Sequence, residues 1–187
     1  MIDLTDREII KLYFERSERA IEETDKAYGK YCRYISFEIL RDLQDSEEIV
    51  NDVYNKVWFS IPPHNPESLK NYLAKIARRL SINRLEFNSA KKRGGGEYEL
   101  VVEELNYIIK GDDNLDIESI LVKDIINNFL RSLPDTKRRI FVRRYWYLSP
   151  IAEIAADFSI SEGKVKMILM RLRNDLKKKL EMEGVTV

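Results

Sequence analysis

The stretch from Ser149 to Leu180 leaves the chain little choice of fold. Apolar residues at Ile151, Ile154, Ala155 and Phe158 follow i, i+3, i+4, i+7, and after a short break the same spacing returns at Val165, Ile168, Leu169, Leu172 and Leu176. Between the two runs, Asp157-Phe158-Ser159-Ile160 has room only for a turn. Ser161 followed by Glu162 starts the second helix with a capping hydroxyl and an acid in its first turn. Two amphipathic helices joined so tightly form a helix-turn-helix, whose second helix can enter a DNA major groove. On that helix Lys164, Lys166, Arg171 and Arg173 remain available to phosphates and bases, Met167 and Met170 offer apolar contacts, and Lys177 to Lys179 extend the positive field.

The rest of the chain agrees with an all-α architecture. Only 7 Gly and 5 Pro in 187 residues leave few turns for a β fold, and 44% hydrophobic with 34% charged residues suits helical domains with solvated faces. The single cysteine, Cys32, excludes an internal disulfide and reads as a packed thiol; with one histidine there is no zinc-ligand spacing. No nucleophile and base recur at a catalytic spacing, so an enzyme is not expected, and no cofactor. No apolar run approaches a membrane span of about 20 residues, and the charged start lacks a signal peptide's pattern. The expected location is cytoplasmic.

The formal net charge is zero, yet charge is segregated: +1 over residues 1–93, −7 over 94–118 and +6 over 119–187, with +6 in residues 67–93 alone. Two basic stretches flanking an acidic one fit a protein that touches DNA at two places. The expected domains are therefore 1–93, an acidic linker 94–118, and a helix-turn-helix domain 119–187, with Lys91-Lys92-Arg93-Gly94-Gly95-Gly96 marking the boundary. The glycine triplet lacks the P-loop's Gly-Lys-Ser/Thr ending. The linker reads as a solvated tether with at most short helical turns.

In the first domain, residues 3–41 read as helix, weakened but not broken at Gly29, and Asp42-Leu43-Gln44-Asp45 as a short break. Asp45 or Ser46 is the expected cap of a helix through Ile49, Val50, Val53, Tyr54, Val57 and Trp58, whose polar face shows Glu48, Asn51, Asp52 and Asn55. Plain solvation would account for such a face. Three prolines among residues 62–66 stop the helix, and a new one follows Glu67 or Ser68, with Leu69, Tyr72, Leu73, Ile76, Ala77, Leu80, Ile82 and Leu85 on its buried side. Its Lys70, Lys75, Arg78, Arg79 and Arg84, with Tyr72, suit either a solvated surface or a site for unstacked bases and phosphate. In the second domain one helix runs from Ser119 and stops before Pro134, another begins near Asp135, and Pro150 opens the first helix of the helix-turn-helix at its first-turn position.

In this order the segments resemble bacterial RNA polymerase sigma factors of the extracytoplasmic-function (ECF) type, in the sigma-70 family. Asp45-Ser46-Glu47-Glu48-Ile49-Val50-Asn51-Asp52-Val53-Tyr54-Asn55-Lys56-Val57-Trp58 follows the D-A-E-D-L-V-Q-E-V-F-x-K-x-W of region 2, and Tyr72-Leu73-Ala74-Lys75-Ile76-Ala77-Arg78-Arg79 its W-L-x-x-I-A-R-N. Leu133-Pro134 through Phe141, and Leu148-Ser149 through Lys166, follow the L-P-x-x-x-R-x-V-F and L-S-x-x-E-I-A-x-x-L-x-I-S-x-x-T-V-K of region 4. Arg79 stands for the usual Asn, Glu86 for Arg, Tyr72 for Trp and Lys164 for Thr.

The resemblance implies two small helical domains, regions 2 and 4, joined by an acidic flexible linker that threads through the polymerase toward the RNA exit path. It implies docking of Asp45, Glu48, Asn51 and Asp52 on the β′ clamp helices of core RNA polymerase, and a further contact with the β flap. It implies capture of flipped bases of the promoter minus-10 element by His64, Asn65, Tyr72, Arg78, Arg79 and Asn83, and reading of the minus-35 element by Ser161, Lys164, Lys166, Met167, Arg171 and Arg173. An anti-sigma factor covering the docking surfaces is a partner such proteins often have. The alternative is a helix-turn-helix regulator acting alone, with an N-terminal sensing or interaction domain; the Asp45–Trp58 stretch discriminates, since such a regulator needs no polymerase-docking helix.

Overall fold

A computed structural model describes residues 4–91, 100, 101, 104 and 117–184. The described residues are helical or in turns, with no strand among them. The chain divides into two compact units, Met1–Gly94 and Gly95–Val187. Most of the expected linker 94–118 lies outside the described residues.

The first unit contains α1 (Asp6–Phe14), α2 (Arg19–Thr24), a π-helical turn (Asp25–Gly29), α3 (Lys30–Leu40), α4 (Leu43–Ser60) and α5 (Leu69–Lys91). The long helix expected over residues 3–41 is broken between α1 and α2. Arg16 adopts a left-handed φ of 55°, its N–H donates to the Tyr13 carbonyl, and Ser17 N–H reaches back to Leu12 O. That is a Schellman stop, which satisfies carbonyls at a helix C-terminus and here uses arginine where glycine is usual. The cap of α4 also moves: Asp42, not Asp45 or Ser46, accepts from the Asp45 N–H at 2.8 Å, and the helix begins at Leu43.

The core lies where α3, α4 and α5 pack pairwise. Cys32, Ile35 and Ile39 of α3 are buried, as are Ile49, Val53 and Val57 of α4 and Leu69, Leu73 and Ala77 of α5. Each set recurs every three or four residues, so one stripe per helix is removed from water. Burial raises the Cys32 thiol to a pKa of about 11, consistent with a packed and unreactive cysteine. Gly29 is required by close approach: a Cβ there would collide with the Asp25 carboxylate and lie 3.0 Å from the Tyr54 hydroxyl, which itself donates to Asp25 at 2.6 Å.

The second unit contains α6 (Ile117–Ser132), α7 (Asp135–Tyr145), α8 (Ile151–Asp157) and α9 (Glu162–Met182). Its core joins Phe129 of α6, Ile140 and Phe141 of α7, Ile154 of α8, and Val165, Leu169, Leu172 and Leu176 of α9. Phe141 stands edge-on to Phe129, with ring centroids 6.1 Å apart, and 4.5 Å from Tyr145. Pro150 is the N-cap residue of α8 rather than its first-turn residue, one step earlier than expected. Leu100, Val101 and Glu104 are helical, and Val101 is buried. At Val101 and Glu104 the segment is packed rather than a solvated tether.

Candidate nucleic-acid interface

The helix-turn-helix is built by α8 and α9. Its turn is a second Schellman stop: Ile160 N–H donates to Ala155 O at 3.0 Å, Ser159 N–H to Ala156 O at 3.1 Å, and Ser159 takes a φ of 51°. Ser161 then caps α9, its hydroxyl accepting from the Lys164 N–H at 3.2 Å. Arg143 of α7 clamps α8 through Glu153 at 2.6 Å and Asp157 at 2.9 Å. The buried stripe of α9 therefore turns its opposite face outward, and Lys164, Lys166, Met167, Met170 and Arg171 are all exposed there.

Arg173 has a different setting. Its guanidinium donates to Glu104 at 2.9 Å and to the Tyr145 hydroxyl at 2.7 Å. Glu104 also takes hydrogen bonds from Arg144 and Tyr145, each at 2.8 Å. Burial disfavours the Glu104 carboxylate, but the hydrogen bonds from Arg144 and Tyr145 and the two neighbouring positive charges outweigh it, so its pKa is lowered. Burial is the main cause that raises the Tyr145 phenol. Thus five of the six expected minus-35 residues lie at the cap or on the outer face of α9, while the sixth is engaged within its own unit.

In the first unit the residues expected around the proline loop separate into two groups. His64, Tyr72 and Arg79 line one cleft of about 480 Å³ together with Lys56, Phe59 and Lys75. The His64 and Tyr72 rings stand 6.1 Å apart, and Ser60 holds both: its carbonyl lies 3.0 Å from His64 Nδ1, and its hydroxyl accepts from Tyr72 at 2.9 Å. Tyr72, Ile76, Arg79 and Asn83 recur along one face of α5, so exposed Asn83 continues the cleft's line one turn on. Arg78 lies off that face, and Asn65 lines a separate cleft against α1. Among the described residues no carboxylate lines the first cleft, which combines flat rings with three cations. That chemistry suits an unstacked base and its phosphates.

Sequence reasoning missed Lys56 and Phe59 and placed Lys75 only among the cations of α5. Phe59 is 71% exposed at the end of α4, and only the fold shows this, since in the sequence it simply continues the apolar run after Val57 and Trp58.

The polar face of α4 is also divided. Arg84 of α5 bridges Asp45 at 2.5 Å and Glu48 at 2.9 Å, and Asn88 donates to Asp45 at 2.9 Å. Asn51 and Asp52 are exposed. Asn51 lines a cleft of about 900 Å³ beside Glu18, Glu22, Asp25 and Glu47, with Arg33 of α3 also in the lining and paired with Asp25 at 3.4 Å and Glu47 at 3.1 Å.

Residues 123–176 match the family model described as sigma-70, region 4. The matched segment spans most of α6, all of α7 and α8, and α9 as far as Leu176, so the helix-turn-helix and the two helices before it are similar to a sigma-70 region 4 domain. No curated protein matches the chain. Among the described residues, no helix is long and apolar enough to cross a membrane.

Proposed function

We propose that this chain is an RNA polymerase sigma factor of the ECF type, which binds core polymerase, recognises the minus-10 and minus-35 promoter elements and promotes strand separation. The observation that carries the reading is the region 4 match over 123–176, in a helix-turn-helix whose second helix turns Lys164, Lys166 and Arg171 to solvent. Arginine and lysine on such a helix can read base edges, each good bidentate pair discriminating by about 1 to 3 kcal/mol, while phosphate contacts set position.

The first unit supplies the other half of the grip. The cleft formed by His64, Tyr72 and Arg79 accepts a base flipped out of the minus-10 element, and binding it offsets the cost of unstacking, so reading and melting are coupled. The exposed part of the α4 face, Asn51 and Asp52, docks on the β′ clamp helices, and the surroundings of Asn51, in which carboxylates outnumber the single guanidinium of Arg33, favour a basic partner. Region 4 meets the β flap, and the acidic segment between the units occupies a basic channel of the polymerase. An anti-sigma factor would act by covering the α4 face.

Reconstitution with core polymerase tests the proposal. The expected result is promoter-dependent RNA synthesis that requires the chain and is lost in Tyr72→Ala. A chain that binds duplex DNA through α9 but neither binds core polymerase nor supports initiation would instead be a helix-turn-helix regulator acting alone.

A further inference from the structure

Gly163, Met167, Met170 and Asn174 are spaced i, i+4, i+7, i+11 along α9, and all four are exposed. The buried residues Val165, Leu169, Leu172 and Leu176 repeat that spacing two residues on, so the two lines lie about 200° apart around the helix. The exposed line therefore runs down the middle of the outward face. Cations flank it on both sides, with Lys164, Arg171 and Lys178 along one edge and Lys166 and the Glu104-bound Arg173 along the other. Glu162 and Asp175 lie further round, toward the edges of the buried face.

Folding alone does not account for this central line. Met167 and Met170 are each 48% exposed, although water disfavours their apolar side chains. An apolar strip rimmed by charge marks an interaction surface. Gly163 poses the same question. It stands in the first turn of α9, where glycine weakens a helix, yet a Cβ there would meet nothing within 4 Å. The fold has room for alanine, so the missing side chain serves a surface that approaches α9 from outside.

Resting on the reading of α9 as the helix that enters duplex DNA, we infer that Met167 and Met170 select thymine by contact with its C5 methyl group, and that Gly163 lets the start of α9 come close enough to the base pairs for that contact. The thymine methyl is the apolar mark that distinguishes a base pair in the major groove. Methionine, unbranched and adaptable, can meet it from a range of helix positions. The groove is about 12 Å wide, roughly one helix diameter with side chains, so the two flanks of α9 face opposite phosphate backbones. Lysine and arginine there fix register and orientation. Sequence choice falls to the central line and electrostatic attraction to its edges.

The test begins with selection of duplexes from a random pool by the full chain, alone and reconstituted with core polymerase. Each thymine of the selected site is then replaced by deoxyuridine, which lacks only the methyl group. At one or two positions the replacement should weaken binding about fourfold, the worth of burying one methyl-sized group. Met167→Ala and Met170→Ala should abolish that difference and leave the salt slope unchanged, whereas Lys164→Ala and Arg171→Ala should lower the slope and keep the difference. Gly163→Ala should raise the thermal midpoint of its unit by about 3 °C and still weaken binding roughly tenfold, the two methyl contacts together. The proposal is overturned, and the sigma-factor reading stands, if deoxyuridine changes nothing at any position of a duplex that supports initiation. It is equally overturned if the thymine preference survives both methionine variants, if Gly163→Ala binds as wild type does, or if the methionine variants weaken only core polymerase binding. If no duplex is enriched under either condition, both readings fail.

Discussion

The guanidinium of Arg144, only 1% exposed, donates to Glu104 at 2.8 Å, joining α7 to a residue that precedes it by 40 positions. Arg144 also donates to the Ser149 carbonyl at 3.2 Å, beside the start of the helix-turn-helix. The acid comes from a segment whose composition alone suggests only a solvated, acidic tether.

Removing the charge of Glu104 should therefore destabilise the Gly95–Val187 unit. Breaking a buried ion pair by neutralising one member costs about 3 kcal/mol. Glu104→Gln should lower the unit's thermal midpoint by at least roughly 10 °C in the full chain, and an unchanged midpoint would refute the role. The pH dependence has a definite sign. The Glu104 pKa is lowered in the folded state, so its contribution is complete above its ordinary value of 4.5 and is lost as pH falls through the folded-state value. Glu104→Gln should remove that part of the acid sensitivity.

On α4, binding and stability should separate. Asn51→Ala and Asp52→Ala touch exposed side chains, so their stability should stay within about 0.5 kcal/mol of wild type, while core polymerase affinity falls roughly tenfold, equivalent to about 1.4 kcal/mol. Asp45→Ala strips a partner from both Arg84 and Asn88 and should lower stability as well. Paired denaturation and polymerase-binding measurements check the contrast.

In the turn between α8 and α9, Ser159 occupies the left-handed position where glycine is unstrained. Ser159→Gly should raise stability by about 1 kcal/mol, since the left-handed conformation costs a side-chain-bearing residue about that much. Ser161→Ala, which deletes the cap of α9, should lower it by about 1 kcal/mol. Urea unfolding of the two variants should move in opposite directions.

Lys166 and Arg173 should also behave differently. Lys166→Ala should leave the unfolding midpoint unchanged and reduce the salt slope of promoter binding by about one unit. Arg173→Ala removes contacts to Glu104 and Tyr145 and should lower the midpoint. An unaltered salt slope for Lys166→Ala would exclude its phosphate role.

The helical stripes were legible because burial imposes a three-to-four residue period that survives in the bare sequence. Val165, Leu169, Leu172 and Leu176 show it in α9, as do Ile49, Val53 and Val57 in α4. The cap at Ser161 was legible for the same local reason, since a hydroxyl can reach a backbone N–H three residues on. The break after Phe14 was not, because the residue that turns left-handed is Arg16, and arginine carries no such signal. What holds Arg16 there lies more than 40 residues away, at the carbonyls of Trp58 and Ile61.

By itself, then, the sequence determined the helices, the turn of the helix-turn-helix and the outward cationic face of α9, all consequences of contacts within a few residues. Tertiary structure alone decided which charges are spent inside the fold and which remain for a partner. Arg84 goes to Asp45 and Glu48, Arg173 goes to Glu104, and Lys164, Lys166 and Arg171 stay exposed. It also separated His64 from Asn65, since consecutive loop side chains face whatever the surrounding helices bring near them. Pairing between distant charges depends on where helices cross, and no local spacing encodes that crossing.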